Sequence, residues 1–291
     1  MATTAPIREK IQELKKTYDL LRKDKESLLT IMNEAEVPEG VYNSNAIENS
    51  TLTLKETEKI LLEDMIDRSV SIREIYEAKN LARLTNFIGD KVKKEDLSKE
   101  LILVLHQMLI SGIDDGIAGR FRKKSEFVRI GSHIAPAPEH VERMIEEIFN
   151  EYSWDLGTFF LDKIARFHLK FETVHPFCDG NGRIGRAIIN YQLQRLGFPC
   201  IIIKNKGKQK YYQAFSDYRY EKNYKTMEKI IGLALMESMH KRIAYMKGQE
   251  IIHLSEHVKN HKKSAPAVFN AARRQNIPAF REKGVWKIGT D

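Results

Sequence analysis

Twelve consecutive residues, His175-Pro-Phe-Cys-Asp-Gly-Asn-Gly-Arg-Ile-Gly-Arg186, constrain this chain more than any other stretch. A proline disfavours helical geometry in the residue before it, so a helix entering the stretch ends at His175, which is expected to be extended. Glycines at 180 and 182 allow unusual backbone dihedrals, and successive N–H groups there can converge on one anion. From Arg183 to Leu196, apolar Ile184, Ala187, Ile188, Tyr191 and Leu196 follow a helical pattern. The result is helix, tight loop, helix, with the positive end of the second helix facing the loop.

The residue types suggest chemistry. Histidine is the side chain best suited to take a proton from an alcohol near neutral pH. Asp179 is a hard oxygen ligand of the kind magnesium shares with phosphates. Arg183 and Arg186 stand three apart on one helix, so both guanidinium forks can meet one anion, and Phe177 would anchor the loop in the core. A lone His-Pro or Gly-x-Gly usually marks a turn. Nine specified positions in twelve are a different matter.

The stretch resembles the Fic family signature His-Pro-Phe-x-Asp-Gly-Asn-Gly-Arg-x-x-Arg and matches it at every specified position. The resemblance implies an all-α, Fic-type helical core with a small β-hairpin flap. It also implies transfer of AMP from ATP to a Ser, Thr or Tyr hydroxyl of a target protein. Under it His175 is the general base and Asp179 holds magnesium (Mg2+). Gly180, Asn181 and Gly182 then hold the α- and β-phosphates, and Arg183 and Arg186 the β/γ end. A kinase-like branch carries lysine at the second loop glycine; Gly182 favours adenylylation.

Ser44-Asn-Ala-Ile-Glu48-Asn49 alone reads as a short helix with Ser44 as N-cap. Beside the motif it resembles the family's inhibitory segment, Ser/Thr-x-x-x-Glu, although Asn49 and Ser50 stand where Gly and Asn are common. The resemblance implies that Glu48 pairs with Arg186 and blocks the γ-phosphate position. A carboxylate on an arginine fork competes with a phosphate for that fork. The same glutamate positioning a water, so that AMP is removed instead, is a further alternative.

The remaining chain reads mostly as helices. Apolar residues at 7, 11, 14, 18, 21, 28 and 32 form a stripe that lapses at Lys25. A helix packed on the main domain is favoured over a homodimer-forming coil, and Val37-Pro-Glu-Gly40 should end it. Thr53-Leu-Lys-Glu56 is a capping box opening a helix to about Asp64. Further helices are expected over 72–89, 94–111, 139–152, 159–173 and 221–246. Glu126–Ile130 and His133–Ala135 suggest a hairpin. It resembles the family's flap, whose implied job is to pair with a target segment through Val128, Arg129 and Ile130. Tyr211 and Tyr212 resemble a family position beside the adenine.

The 291 residues fit one large or two smaller domains. No apolar run approaches the ~18 residues of a membrane span, no export leader is evident, and two cysteines suit a reduced cytoplasm. Residues 241–291 hold eleven lysines and arginines against four acids, so seven of the eight net positive charges fall there. Helices near 254–258 and 267–274, then a hairpin over 276–288, match a winged helix-turn-helix layout and resemble excisionase-like modules. Lys262, Lys263, Arg273 and Arg274 could then meet DNA, with protein docking equally open. The expected units are residues 1–92, 93–248 and 249–291. A DNA-binding regulator that senses ATP is the second reading.

Overall fold

The computed structural model describes residues 4–63, 69–92, 95–131, 133–262 and 264–290. Residues 64, 94 and 132, at the edges of expected elements, and Lys263 lie outside those residues. Helices α1 (Ala5–Leu21), α2 (Glu26–Ile47), α3 (Leu54–Leu62), α4 (Ile72–Lys91) and α5 (Lys99–Ile110) come first. A hairpin of β1 (Arg129–Ile130) and β2 (His133–Ile134) follows. Next come α6 (Pro138–Trp154), α7 (Phe160–Val174), α8 (Asn181–Arg195), α9 (Lys208–Glu221) and α10 (Lys225–Met246). The tail holds β3 (Glu250–His253), α11 (Leu254–Asn260), α12 (Ala265–Arg273), β4 (Ala279–Glu282) and β5 (Val285–Thr290). The fold is mostly helical with small antiparallel strand elements, as expected.

The pair α7–α8 stands between two cores. Phe167, Phe171, Val174 and Phe177 join Ile184, Ile188 and Tyr191 in one, with α4, α5 and α6. Leu161, Ile164, Leu169, Ile189 and Leu193 enter the other, with α1, α9 and α10. Both helices are therefore gripped on two sides, and the loop 175–180 that joins them inherits that rigidity. A fully buried Phe177 contributes about 2 kcal/mol to holding the loop in place.

Local signals account for several boundaries. Thr53 and Glu56 close the expected capping box on α3. Ser98 caps α5 through a 3.1 Å bond from the Leu101 N–H to its Oγ. Pro138 occupies the first turn of α6.

Several expectations fail for physical reasons. The 7–36 stripe is two helices, because the chain turns at 22–25 with Asp24 at φ 60°. Pro38 does not end α2, which continues to Ile47. On either side of Pro38, Glu36 pairs with Lys241 and Arg242, and Glu39 with Lys204. These contacts hold the helix through the missing backbone donor. Consequently Ser44 lies in the last turn of α2 and is no N-cap. The expected helix over 221–246 starts only at Lys225, after a left-handed Lys222.

The tail forms a three-stranded antiparallel sheet in the order β3-β5-β4, with α11 and α12 beside it. The sequence reading missed β3, whose partner β5 lies some 35 residues downstream.

Candidate active site

The loop begins at a left-handed residue. His175 has φ 51° and ψ 63°, not the extended geometry expected of it. The proline at 176 excludes the right-handed helical region, and the N–H of His175 still closes α7 on the Phe171 carbonyl. Arg122, 4% exposed, holds this turn: its Nε donates to the His175 carbonyl at 2.8 Å and its Nη2 to those of Val174 and Pro136. Downstream, Asn181 turns inward. Its Oδ1 accepts from the Phe177 N–H and its Nδ2 donates to the Phe177 carbonyl, at 2.9 and 2.8 Å. The Asn181 side chain is thus spent on closing the loop, and only its backbone N–H is available to an anion.

The two loop glycines are required for different reasons. Gly180 is left-handed at φ 78° and caps α8, as expected of a turn glycine. Gly182 is helical, contrary to the expectation of unusual dihedrals for it, and what it supplies is room: a Cβ there would overlap Oε1 of Glu48. α8 begins with Asn181, Gly182 and Arg183, and the first turn of a helix leaves its N–H groups without intrahelical acceptors. A carboxylate therefore sits beside a helix N-terminus, where the dipole favours negative charge.

That carboxylate belongs to the residue closing α2. Glu48 Oε1 lies 2.9 Å from Arg186 Nη2. Ser44 engages Nε and Nη2, its Oγ accepting from Nε at 3.0 Å and its carbonyl from Nη2 at 2.8 Å, while the buried Nη1 has no hydrogen-bond partner among the described residues. Glu48 thus has one contact on the fork and does not grip both arms. Burial works against the charge of Arg186, yet the Glu48 carboxylate, together with Tyr211 and Glu172, holds the guanidinium above its usual range.

Arg183 does not share a partner with Arg186. It pairs with Glu77 at 3.1 Å and Asp179 at 3.2 Å. Asp179 also meets Arg73 and the Gly180 N–H. Burial pushes the Asp179 carboxyl up, but Arg183 and these neighbours bring it below the ordinary carboxylate range. Among the described residues there is no cluster of three or more His, Cys, Asp or Glu that could hold a metal.

Residues 96–193 match the model of the Fic/DOC family. The chain carries a Fic domain. It is 33% identical over 178 residues to "Protein adenylyltransferase Fic" of Nematostella vectensis, covering 60% of this chain and 41% of that protein. It therefore spans less than half the length of the curated relatives it matches. Fic-1 of C. elegans (residues 134–508) superposes with a TM-score of 0.70 at 25% identity, over 81% of this chain and 71% of that one. A Fic-domain-containing signaling protein from Bacteroides thetaiotaomicron gives 0.72 at 21% identity, over 83% and 98%.

Around the Fic loop, the other anticipated residues fall in different places. Tyr211 is 1% exposed and its hydroxyl bonds His168 Nε2 at 2.7 Å, so it lies behind Arg186 and cannot face a base directly. Tyr212 is exposed, and its hydroxyl donates to the Ile47 carbonyl at 2.7 Å, next to Glu48. Val128 accepts from the Ala135 N–H beyond the short β1–β2 pairing, while Arg129 and Ile130 form β1 itself. Lys262, Arg273 and Arg274 are exposed on the tail. Cys178, inside the Fic loop, is no ready nucleophile: burial, with the Glu126 carboxylate beside it, pushes its thiol up to about 11.

His106 and Glu172 went unnoticed in the sequence, where each is one polar residue on a core helix. His106 Nδ1 accepts from the Gly119 N–H at 3.0 Å, which leaves Nε2 to donate to the Asp179 carbonyl at 3.1 Å. Its ring stacks on Phe177 at 3.7 Å, and burial lowers it to about 4, so it stays neutral.

Proposed function

We propose that this chain moves AMP from ATP to a hydroxyl of a protein target, and that the conformation described is its restrained form. The observation that carries the reading is the Glu48 carboxylate lodged against Gly182 and Arg186. An internal anion stands where the loop's dipole and guanidinium would receive an external one, so it marks the site and blocks it. The relatives named protein adenylyltransferase supply the chemistry.

In the released form Gly180, Asn181 and Gly182 bind phosphate through their N–H groups, and Arg183 and Arg186 bind the terminal phosphates. His175 takes the proton of the target hydroxyl as its oxygen bonds to the α-phosphorus. The bond from that phosphorus to the bridging oxygen breaks, and pyrophosphate leaves. Asp179 fits a magnesium ion, because Mg2+ is commonly held by one or two carboxylates together with phosphate oxygens; when bound it would neutralise phosphate charge. Val128, Arg129 and Ile130 would fix the target by strand pairing. Residues 249–291 form a basic docking unit; exposed Lys262, Arg273 and Arg274 favour an anionic partner, DNA included.

The test is incubation of the purified protein with labelled ATP and Mg2+. Label should appear on protein, increase in Glu48→Gly and vanish in Glu48→Gly/His175→Ala. Absence of labelling in Glu48→Gly with a panel of extracts, together with specific DNA retention, would replace this reading with the regulator.

A further inference from the structure

His168, Glu172 and His175 are spaced four and three apart, so they share one face of α7 and its cap. Glu172 is 8% exposed, an unusual place for a carboxylate outside an ion pair with lysine or arginine. Its Oε2 lies 3.6 Å from Nδ1 of His175. That is longer than a hydrogen bond, and neither His175 Nδ1 nor Glu172 Oε1 has a hydrogen-bond partner among the described residues. The oxygen facing Nδ1 is Oε2, while the unpartnered Oε1 lies on the Gly185 side; an unsatisfied buried Nδ1 beside a carboxylate tends to close the gap, and such bonds are often long before substrate arrives. The His175 side chain is 17% exposed although its Nδ1 is buried, so solvent reaches the ring elsewhere.

The position of Glu172 is built into the fold. A Cβ on Gly185 would overlap Glu172 Oε1 and stand 2.7 Å from Cε1 of His168. Gly185 therefore supplies the space in which this carboxylate sits, although the family motif leaves its position unspecified. His168 faces the carboxylate from the same helix and is kept neutral by burial, at about 4. Burial works against the charged Glu172, but His175 beside it and the Arg186 charge hold it below the usual carboxylate range.

We propose that Glu172 is a positioning residue for His175. It accepts from Nδ1–H, fixes one imidazole tautomer and leaves the Nε2 lone pair facing the incoming hydroxyl. The logic is that of a histidine base oriented by a third group. The inference rests on the reading of His175 as the base, and its test separates the two.

The test begins with nitrogen NMR of the nine histidines, with the His175 signal assigned by His175→Asn. The expected result is an Nδ1-protonated His175 in the parent and a shift toward the Nε2-protonated form in Glu172→Gln. Gly185→Ala, which displaces the carboxylate without removing its charge, should shift the tautomer in the same direction and serves if Glu172→Gln is unstable. In the Glu48→Gly background, Glu172→Gln should lower kcat about 10- to 100-fold and leave the KM for ATP within about twofold. An Nε2-protonated His175 in the parent, or a tautomer unchanged in both variants, overturns the proposal. Absence of any transfer in Glu48→Gly would defeat the adenylylation reading and leave the NMR result to decide this one.

Discussion

The N–H of Lys283 donates to Glu39 Oε2 at 3.0 Å, joining the tip of the tail hairpin to the helix that ends in Glu48. Lys283 and Gly284 are both left-handed and form the two-residue turn between β4 and β5. The other oxygen of Glu39 accepts from Lys204 at 2.6 Å. The tail and the 200–207 connector thus hold one carboxylate on α2, nine residues before Glu48. Glu39→Ala is expected to raise basal labelling toward that of Glu48→Gly. It should also cost about 1–3 kcal/mol, because it leaves the partly buried Lys204 ammonium and the Lys283 N–H without their acceptor. Urea unfolding and the labelling rate check the two halves separately. Glu58, which meets Lys283 Nζ at 2.8 Å near the surface, is the control; Glu58→Gln should change stability by no more than about 0.5 kcal/mol. Lower stability with unchanged basal labelling would show that the end of α2 is held independently of the tail.

Stability should fall on mild acidification. Burial lowers His106, His168 and His240 to about 4 each. Between about pH 6.5 and 4 the unfolded chain binds protons that these folded histidines refuse, so stability rises with pH by up to about 1.4 kcal/mol per unit for each. Glu228 acts in the opposite sense: burial, then nearby Asp162, raises it to about 7. Its folded carboxyl keeps a proton that the unfolded one has lost, which cancels roughly one histidine across the overlap. A net fall of about 1 kcal/mol per unit near pH 6.5, growing to about 2.5 near pH 5, is expected, read from urea midpoints at fixed m. Glu228→Gln should steepen it. A flat profile in both proteins would mean that these histidines are less buried in solution.

The twelve-residue motif made the helix–loop–helix and its surroundings legible because each of its signals is local: a proline stop, turn glycines, a helix N-terminus. The capping box at Thr53 was legible for the same reason. Pro38 misled because ion pairs from α10 and the 200–207 connector outweigh a local breaker, and sequence spacing does not report them. Strand β3 is four residues long and exists through its pairing with β5. His106 and Arg122 meet the loop across 73 and 53 positions of chain, and nothing near them in sequence announces it. Glu172 is only three residues from His175, yet a single acid on an amphipathic helix ordinarily faces solvent.

Arg122 offers the sharpest separation of scaffold from chemistry. Its guanidinium donates to the carbonyls of Glu126, Pro136, Val174 and His175, and its own N–H donates to that of Pro176. One side chain thereby ties the flap's entry and exit to the left-handed turn that aims His175. Lysine keeps the charge but lacks the planar fork, so it can satisfy only part of this set. Arg122→Lys is expected to lose about 2–4 kcal/mol through unsatisfied buried carbonyls, lowering the melting temperature by several degrees. Well below that temperature, in the Glu48→Gly background, kcat should fall about tenfold or more, because His175, proposed as the base, is no longer held at its angle. The KM for ATP should stay within about twofold, since Gly180, Gly182 and Arg186 do not touch Arg122. Were KM to rise with kcat unchanged, the turn at His175 would have to be held by Pro176 and Phe177 alone, and Arg122 would belong to the flap.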